Sequence, residues 1–213
     1  MSKTSVSELE SESKIKLSKH EIRTQETRSL LLKAAETVFI RYGYEGADLN
    51  DIAELAERTK GAIYGHFKSK EDIFLALVAE HREQYREKIT KLLSDDIDKN
   101  VKVMRQFVLE LAEDDKWALL QLEFKLFTLR HPETKVRFQQ FYATSHAERD
   151  TIYAKLFGPP RKTKNKVSRG LALHSLVAML SALLLEAEFE PELMSKAAIR
   201  TLIASAFDCL FSA

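Results

Sequence analysis

The segment TKGAIYGHFKSKED (59–72) carries the residues whose types and spacing best suit chemistry. Lys60 can reach guanine acceptors or a phosphate, and Tyr64 and His66 place polar tips on aromatic bodies that suit phosphate oxygens. Gly61 lies in the first turn of the same short helical pattern, although glycine costs a helix about 1 kcal/mol relative to alanine. Because glycine has no side chain to hold the backbone away, this position favours close approach to base edges. The segment therefore predicts a contact with nucleic acid.

Helices that must position this segment can be recognised beside it. Apolar residues at helical spacing predict a helix from about residue 24 to 42, and Gly43 just past its end predicts a left-handed cap. Asp48 and Thr59 can cap two short helices, which a tight turn at 57–58 connects. This layout is that of a helix-turn-helix, whose second helix enters the major groove of DNA while the first crosses the backbone.

Basic groups flank the helix-turn-helix. Ser69 can cap a long fourth helix, and Lys70 lies at its start, where backbone N–H groups also point outward to receive phosphate. A basic arm leads into the first helix, and an arm of this kind can reach phosphate or the minor groove. A solvated tail is an equally good interpretation, because Glu21 and Glu26 dilute the charge. The basic residues of the arm are Lys14, Lys16, Lys19, Arg23 and Arg28.

The stretch from residue 27 to residue 77 resembles the DNA-binding domain of the TetR (tetracycline-repressor-like) transcriptional regulators. The family's marks are present here as Phe39, Gly43-Tyr44, Asp51-Ile52-Ala53, Lys60-Gly61, Tyr64, Phe67 and Lys70. The chain departs from the family at Ala47 and Asp48, where hydroxyl residues are common. It also departs at Glu57, where glycine is usual, and at Gly65, where an aromatic or basic residue is common. The resemblance and the basic residues together predict DNA contacts from Arg28, Ala47, Lys60, Gly61, Ala62, Tyr64, His66 and Lys70.

The chain as a whole predicts an all-α fold. It has only 6 glycines and 4 prolines, and no alternating apolar pattern lasts long enough to demand a strand. We expect about nine helices, arranged as a helix-turn-helix domain followed by a larger helical domain for ligand binding and dimerisation. The expected parts are a disordered arm at 1–20, the DNA-binding domain at 21–70 and the effector-binding and dimerisation domain at 71–213. The basic segment at 161–166 is interpreted as a solvated loop.

Composition narrows the class of protein. The net charge of +1 does not by itself favour nucleic acid, so that function depends on where the charges lie. A lone cysteine, Cys209, excludes an internal disulfide, fits a reducing cytoplasm and is expected to be a small buried residue. The apolar segment 171–187 is interpreted as too short to span a bilayer. No nucleophile–base pairing, metal-ligand spacing or phosphate loop is present, so we predict neither an enzyme nor a bound metal or cofactor.

The C-terminal helices predict a homodimer. A single helix-turn-helix contacts too little DNA for a specific site, so two copies must be joined. The segment 171–187 is apolar on nearly every face and must be buried on nearly every face. With the final helix at about 191–212 it could form a four-helix interface, although both helices could also be internal. The predicted interface residues are Leu173, Leu176, Leu180, Leu184, Leu202, Ala206 and Leu210.

A small-molecule pocket is also expected, since regulators of this type usually release DNA when an effector binds. The segment 117–130 shows two apolar stripes, and apolar walls with a few polar groups suit either a pocket or an ordinary core. The candidate pocket residues are Met104, Phe107, Trp117, Glu123, Phe124, Phe127, Tyr142, His146, His174 and Met179. Their chemistry favours a hydrophobic or aromatic effector.

The resemblance therefore implies a repressor that releases a palindromic operator when its ligand binds. The effector would shift the fourth helix, which links the two domains, and so change the spacing of the two recognition helices in the dimer. The alternative is a helical ligand-binding or scaffold protein of the same fold that has weakened or lost DNA binding.

Overall fold

The computed structural model describes residues 18–144, 146–157 and 168–211, apart from the side chains of 146–150. Within these ranges the chain forms ten α-helices and one short 3-10 helix, and no strand, which confirms the all-α prediction. The elements are α1 (Lys19–Gly46), α2 (Leu49–Leu55), α3 (Lys60–His66), α4 (Lys70–Leu92), α5 (Ile97–Glu110), the 3-10 helix (Leu111–Glu113), α6 (Asp115–Arg130), α7 (Pro132–Thr144), α8 (His146–Phe157), α9 (Arg169–Ala187) and α10 (Lys196–Phe211).

The first helix begins earlier than the sequence predicts. Ser18 caps it by accepting a hydrogen bond from the Glu21 N–H at 3.2 Å, and the Glu21 carboxylate accepts from the Ser18 N–H at 2.7 Å. This reciprocal arrangement satisfies two backbone donors and extends α1 into the segment that was expected to be a disordered arm. Residues 1–17 of that arm and the basic loop at 161–166 lie outside the described residues.

Local sequence signals position α2, α3 and α4. The three predicted caps are confirmed: Asp48 accepts from the Asn50 N–H at 2.6 Å, and Thr59 and Ser69 each accept from an N–H three residues on at 3.2 Å. Gly43 has the predicted positive φ, at +73°, but its ψ of 171° is extended, so it kinks α1 instead of forming a left-handed helical cap at the end of the helix. In the turn between α2 and α3, Glu57 also adopts positive φ, at +53°, a conformation that favours glycine.

Two apolar cores fill the described part of the chain. The first joins α1, α2 and α3 to the start of α4 and continues into α6 and α7 through Trp117, Phe124 and Phe138. The second joins α5, α8, α9 and α10, and Ala118 and Leu119 of α6 pack against it. Because the first core extends well beyond residue 70, the helix-turn-helix shares its interior with helices of the larger part. The division of the chain at residue 70 stays a prediction.

Aromatic contacts dominate the first core. Phe74 and Phe124 stack with ring centroids 4.0 Å apart, and Tyr44 meets Phe124 edge-on at 4.6 Å and Phe127 at 4.8 Å. Phe124 is fully buried. Two of the candidate pocket residues, Phe124 and Phe127, therefore pack in the interior behind α1, where they hold α6 against the helix-turn-helix.

Helix α9 buries one face and exposes the other. The four α9 leucines predicted to form the dimer interface are instead 1–7% exposed and pack within the chain, because they lie on the apolar face of α9 that meets α6, α8 and α10. The apolar side chains on the outer surface of α9 and α10 are a different set, of which Leu202 and Leu210 were predicted. The large exposed ones are Leu171, Val177, Leu202 and Leu210. Ala206 is partly buried against the second core.

Two further expectations about the C-terminal region are corrected. With 19 residues and a mean hydropathy of 1.7, α9 is the one helix in the described ranges that is long and apolar enough to cross a membrane, by length and composition alone. A packed helix of a soluble protein meets the same two measures, and α9 packs against α6, α8 and α10. Cys209 is exposed rather than buried, because it lies on the side of α10 opposite Ile203 and Phe207.

Candidate nucleic-acid interface and effector cavity

Helix α3 presents a compact outer face to solvent. Ile63 and Phe67 are buried and anchor the helix to the first core. Lys60 and Gly61 are exposed at its first turn, and Tyr64 is 53% exposed at the next. This division follows helical spacing, in which residues three and four apart share a side. The predicted DNA-contacting side chains of Lys60 and Tyr64 are therefore available on one surface.

The two glycines of α3 are not held in place by packing against the residues that the structure describes. A Cβ at Gly61 would have Thr59 Oγ1, 3.6 Å away, as its nearest neighbour, which is an ordinary van der Waals contact. A Cβ at Gly65 would meet no atom of the described residues within 4 Å. Alanine would fit at both positions and would favour the helix by about 1 kcal/mol. The structure thus offers no internal reason for either glycine, whereas close approach by a partner supplies one.

Arg28 and His66 border the outer face of α3. Arg28 is exposed on α1, and its guanidinium carbon lies 5.4 Å from the centre of the Phe67 ring. This cation–π contact places a positive charge beside α3. His66 is half-buried, with its ring centre 6.2 Å from that of Phe67. Ala62 is half-buried, and its N–H is already used by the Thr59 cap.

Lys70 and Ala47 have roles that the sequence did not predict. The Lys70 ammonium donates to the carbonyl oxygens of Glu45 and Ala47, each at 3.0 Å, and lies 5.0 Å from the centre of the Tyr44 ring. Burial lowers the pKa of Lys70. Since two of its three N–H donors are engaged, Lys70 secures the end of α1 in place of the predicted phosphate contact. The Ala47 side chain is buried in the first core, so it cannot reach outward.

A carboxylate from α6 docks at the same end of α1. Glu123 Oε1 accepts a hydrogen bond from the Tyr44 N–H at 2.7 Å. A Cβ at Gly43 would lie 2.7 Å from that oxygen, so the carboxylate occupies space that the absent side chain leaves open. Glu123, expected to line the ligand pocket, instead joins α6 to the helix-turn-helix because this turn offers it an unpaired backbone donor.

A cavity of about 410 Å³ lies between α4, α5, α6, α7, α8 and α9. Its volume is within the range of small-molecule sites. The candidate residues that line it are Met104, Phe107, Trp117, Tyr142 and His174. Those that do not are Glu123, Phe124, Phe127 and Met179. The first three face the first core, Met179 packs against the second, and the side chain of His146 lies outside the described residues.

Sequence reasoning missed the basic side chains of this cavity. Arg82, Arg86 and Lys125 all line it. Two spacings could have revealed them: Arg82 and Arg86 are four residues apart on α4, and Lys125 lies eight residues after Trp117 on α6. Residues at these intervals share one face of a helix. The sequence-based prediction considered only the apolar residues of α4 and α6, so it missed the face of each helix that carries these cations.

These cations differ in how they are paired. Arg86 forms an ion pair with Glu83, with Nε donating to Oε2 at 2.7 Å. Arg82 lies over the rings of Phe141 and Tyr142, at 5.3 and 5.0 Å from their centres. Its Nη1 is buried and has no hydrogen-bond partner among the residues that the structure describes.

Lys125 lies on the same cavity, on α6. Burial lowers its pKa. In the described part of the chain no carboxylate lies within ion-pair distance of its ammonium. The cavity therefore holds two cationic side chains, Arg82 and Lys125, that have no carboxylate partner there.

A short chain of contacts joins the cavity to α1. Trp117 lines the cavity and stacks on His81 of α4, with ring centres 3.9 Å apart and planes at 13°. His81 Nε2 lies 2.7 Å from Glu36 Oε1 on α1. The hydrogen bond to His81 lowers the pKa of Glu36. A change in the position of Trp117 would therefore be transmitted to α1 through the side chains of His81 and Glu36.

Known proteins resemble this chain in the sequence of its N-terminal segment and in its fold. Residues 31–77 match the model of a family described as bacterial regulatory proteins, tetR family. The chain is 31% identical over 112 residues to the HTH-type transcriptional repressor AcnR of Corynebacterium efficiens, a match that covers 53% of this chain and 56% of that repressor. The chain thus spans about half the length of this curated relative.

Solved structures resemble the whole fold. A TetR-family transcriptional regulator from Rhodococcus sp. has a TM-score of 0.64 at 18% identity, covering 88% of this chain and 100% of that one. SmeT, the repressor of the Stenotrophomonas maltophilia multidrug efflux pump SmeDEF, has a TM-score of 0.55 at 26% identity, covering 88% and 91%. The helices that follow the matched N-terminal segment therefore have the arrangement found in these proteins.

Proposed function

We propose that this chain is a DNA-binding transcriptional regulator, because residues 31–77 match the model of the tetR family of bacterial regulatory proteins. The observation that carries the proposal is the outer face of α3, where Lys60 and Tyr64 are exposed beside two glycines without a packing role. On this proposal Lys60 contacts a guanine or a phosphate, Tyr64 and His66 contact phosphates, and the backbone at Gly61 and Ala62 approaches the groove.

The regulator acts as a homodimer on a palindromic site. Two copies of α3 must enter successive major grooves on one side of the DNA, which requires a fixed spacing of about one helical turn. The outer surface of α9 and α10 supplies an apolar face for this association, with Leu171 from α9 and Leu202 and Leu210 from α10. Exposed apolar side chains clustered on two helices mark an interface between subunits.

Ligand binding in the cavity releases the DNA. The cavity wall includes α4, which begins at the helix-turn-helix, and α6, whose Glu123 holds the end of α1. An effector that fits the cavity better in one arrangement of these helices shifts the population toward that arrangement. Contacts through Trp117, His81 and Glu36 convey the same movement to α1. The protein is thus a cytoplasmic repressor that responds to a small molecule.

Salt-dependent DNA binding tests the proposal. Fluorescence anisotropy with DNA from upstream of the chain's own gene should show binding that weakens with salt. The logarithm of the association constant should fall linearly with the logarithm of the salt concentration, with a slope of about −0.9 for each phosphate contacted. Replacing Lys60 by alanine should weaken binding by about 1–3 kcal/mol, or roughly 5- to 150-fold. Lys102→Ala is the matched control, since Lys102 is an exposed lysine on α5. Equal loss in both variants, or no sequence-selective binding by the wild type, would overturn the assignment.

A ligand-binding protein of this fold that has lost DNA binding is the second candidate. It is favoured by the engagement of Lys70 with α1 and the burial of Ala47, which remove two predicted contacts. Retained ligand binding without any sequence-selective DNA binding would support it.

Within the described ranges, no group of three or more His, Cys, Asp or Glu side chains converges to hold a metal ion.

A further inference from the structure

The cavity is lined by basic side chains from α4 and α6, here called its basic end, and by mostly apolar side chains from α5, α8 and α9. Arg82 of α4 and Lys125 of α6 lie on the helices that also meet α7, whose Phe141 and Tyr142 cover the Arg82 guanidinium. The lining residues that come from α5, α8 and α9 are mostly apolar. These are Met104, Phe107, Val108, Ile152, Leu156, Leu173, Val177 and Leu180.

Arg82 and Lys125, the basic end of the cavity, have no anionic partner among the described residues. Arg82 Nη1 is buried without an acceptor among the described residues, and a buried donor left unpaired is costly. The described lining residues carry two carboxylates, and both are engaged. Glu83 pairs with Arg86, and Asp114 accepts from the Trp117 N–H at 3.3 Å as the cap of α6. Neither compensates Arg82 or Lys125.

We propose that the cavity binds an amphipathic organic anion, whose carboxylate or phosphate head meets Arg82 and Lys125 and whose apolar body extends along α5, α8 and α9. This deepens the proposed function, because it rests on the cavity being the effector site. An anionic head would give Arg82 Nη1 the acceptor it lacks, and the planar guanidinium suits such oxygens. The effector expected from sequence was hydrophobic or aromatic, and the cavity adds the requirement that it also carry a negative charge.

Probes that share one tail test the head-group requirement. Dodecanoate and dodecyl phosphate, dodecanol and dodecyltrimethylammonium differ only at the head, and their affinities for the full chain can be measured by isothermal titration calorimetry below their micelle concentrations. We expect at least one anion to bind about 10- to 100-fold more tightly than dodecanol, and the cation to bind least. The two anions distinguish a carboxylate site from a phosphate site. Equal affinity for dodecanol and both anions, or no binding of any probe, would overturn the proposal.

Variants locate the preference within the cavity. Arg82→Gln and Lys125→Met should each remove most of the anion preference while leaving the affinity for dodecanol within about threefold, since the apolar wall is unchanged. Arg130→Gln and Lys116→Met are charge-matched controls, because both residues are exposed on α6 and do not line the cavity. Anion preference that survives in both cavity variants would overturn the assignment of the head-group residues. If a variant fails to fold, the comparison of the four probes on the wild-type protein still tests the requirement for an anionic head group.

DNA release separates this inference from the proposed function. If the protein binds DNA, the preferred anion should release it at lower concentration than dodecanol. If the protein prefers the anion but binds no DNA, the regulator assignment fails while the ligand class holds. If it binds DNA selectively and shows no preference for an anion, the ligand class fails alone.

Discussion

Replacing Gly43 by alanine tests the junction between α1 and α6. Gly43 has φ +73°, and its missing side chain leaves the space that the Glu123 carboxylate fills. An alanine Cβ would lie 2.7 Å from Oε1 and 3.0 Å from Oε2 of Glu123. The carboxylate must therefore move and lose its hydrogen bond to the Tyr44 N–H.

The cost of this substitution has two parts. Positive φ combined with the extended ψ of 171° is a backbone region essentially restricted to glycine, and it costs another residue about 1–3 kcal/mol. Loss of a hydrogen bond to a charged group costs about 1.5–3 kcal/mol, and the lower entropy of alanine in the unfolded chain returns about 0.4–1 kcal/mol. The Gly43→Ala variant should thus lose about 2–4 kcal/mol of unfolding free energy. For a chain of this size that corresponds to a fall in Tm of roughly 4–16 °C.

Urea denaturation followed by circular dichroism measures the effect. The matched control is Gly46→Ala, since a Cβ there meets only the Tyr42 Cβ, at 3.8 Å, among the described residues. That control should be neutral or slightly stabilising because alanine favours a helix. In a Glu123→Ser background, Gly43→Ala should cost only the backbone part, about 1–3 kcal/mol. A cost below about 0.5 kcal/mol in the wild-type background, or strict additivity with Glu123→Ser, would refute the reasoning.

Three further predictions concern the helix-turn-helix and its contacts. Glu57→Gly should raise the unfolding free energy by up to about 1 kcal/mol in urea denaturation, because it relieves positive φ in the turn; a loss of stability would contradict this. Gly61→Ala should leave the fold at least as stable as wild type yet weaken DNA binding in anisotropy, since only a partner needs that space; unchanged affinity would count against it. Because the hydrogen bond to His81 lowers the pKa of Glu36, that carboxylate stabilises the fold above the ordinary glutamate pKa, and the contribution is lost as pH falls through the lowered pKa. Glu36→Gln should therefore flatten the decline in stability as pH falls below the ordinary glutamate pKa of 4.5, and an unaltered pH profile of Tm in that acid range would argue against this role.

The features that sequence predicted are those set by neighbouring residues. Asp48, Thr59 and Ser69 cap helices through bonds to N–H groups two or three residues away, so the identity and position of each were sufficient. The positive φ of Gly43 and the exposure of Lys60 likewise follow from local helical spacing. Neighbouring residues are sufficient to determine these features.

The features that sequence missed depend on distant contacts. Lys70 reads as a surface cation at a helix start, and only the fold reveals two backbone carbonyls at the end of α1 within reach. Glu123 looks like a polar group on a pocket helix until the turn at Tyr44 is placed beside it. On α9, nearly uniform apolarity removes the periodic signal, so nothing local indicates whether Leu176 faces inward or outward.

Helix α6 sets the size of the piece that could be exchanged between proteins of this kind. It contributes Trp117 and Phe124 to the core that also holds Phe39, while Ala118 and Leu119 pack on the other core. A chimaera joined at residue 70 would place Phe39 and its neighbours against foreign side chains. The unit that can be transplanted with its packing intact includes α6 and α7, so a new ligand response cannot be acquired simply by replacing everything after the helix-turn-helix.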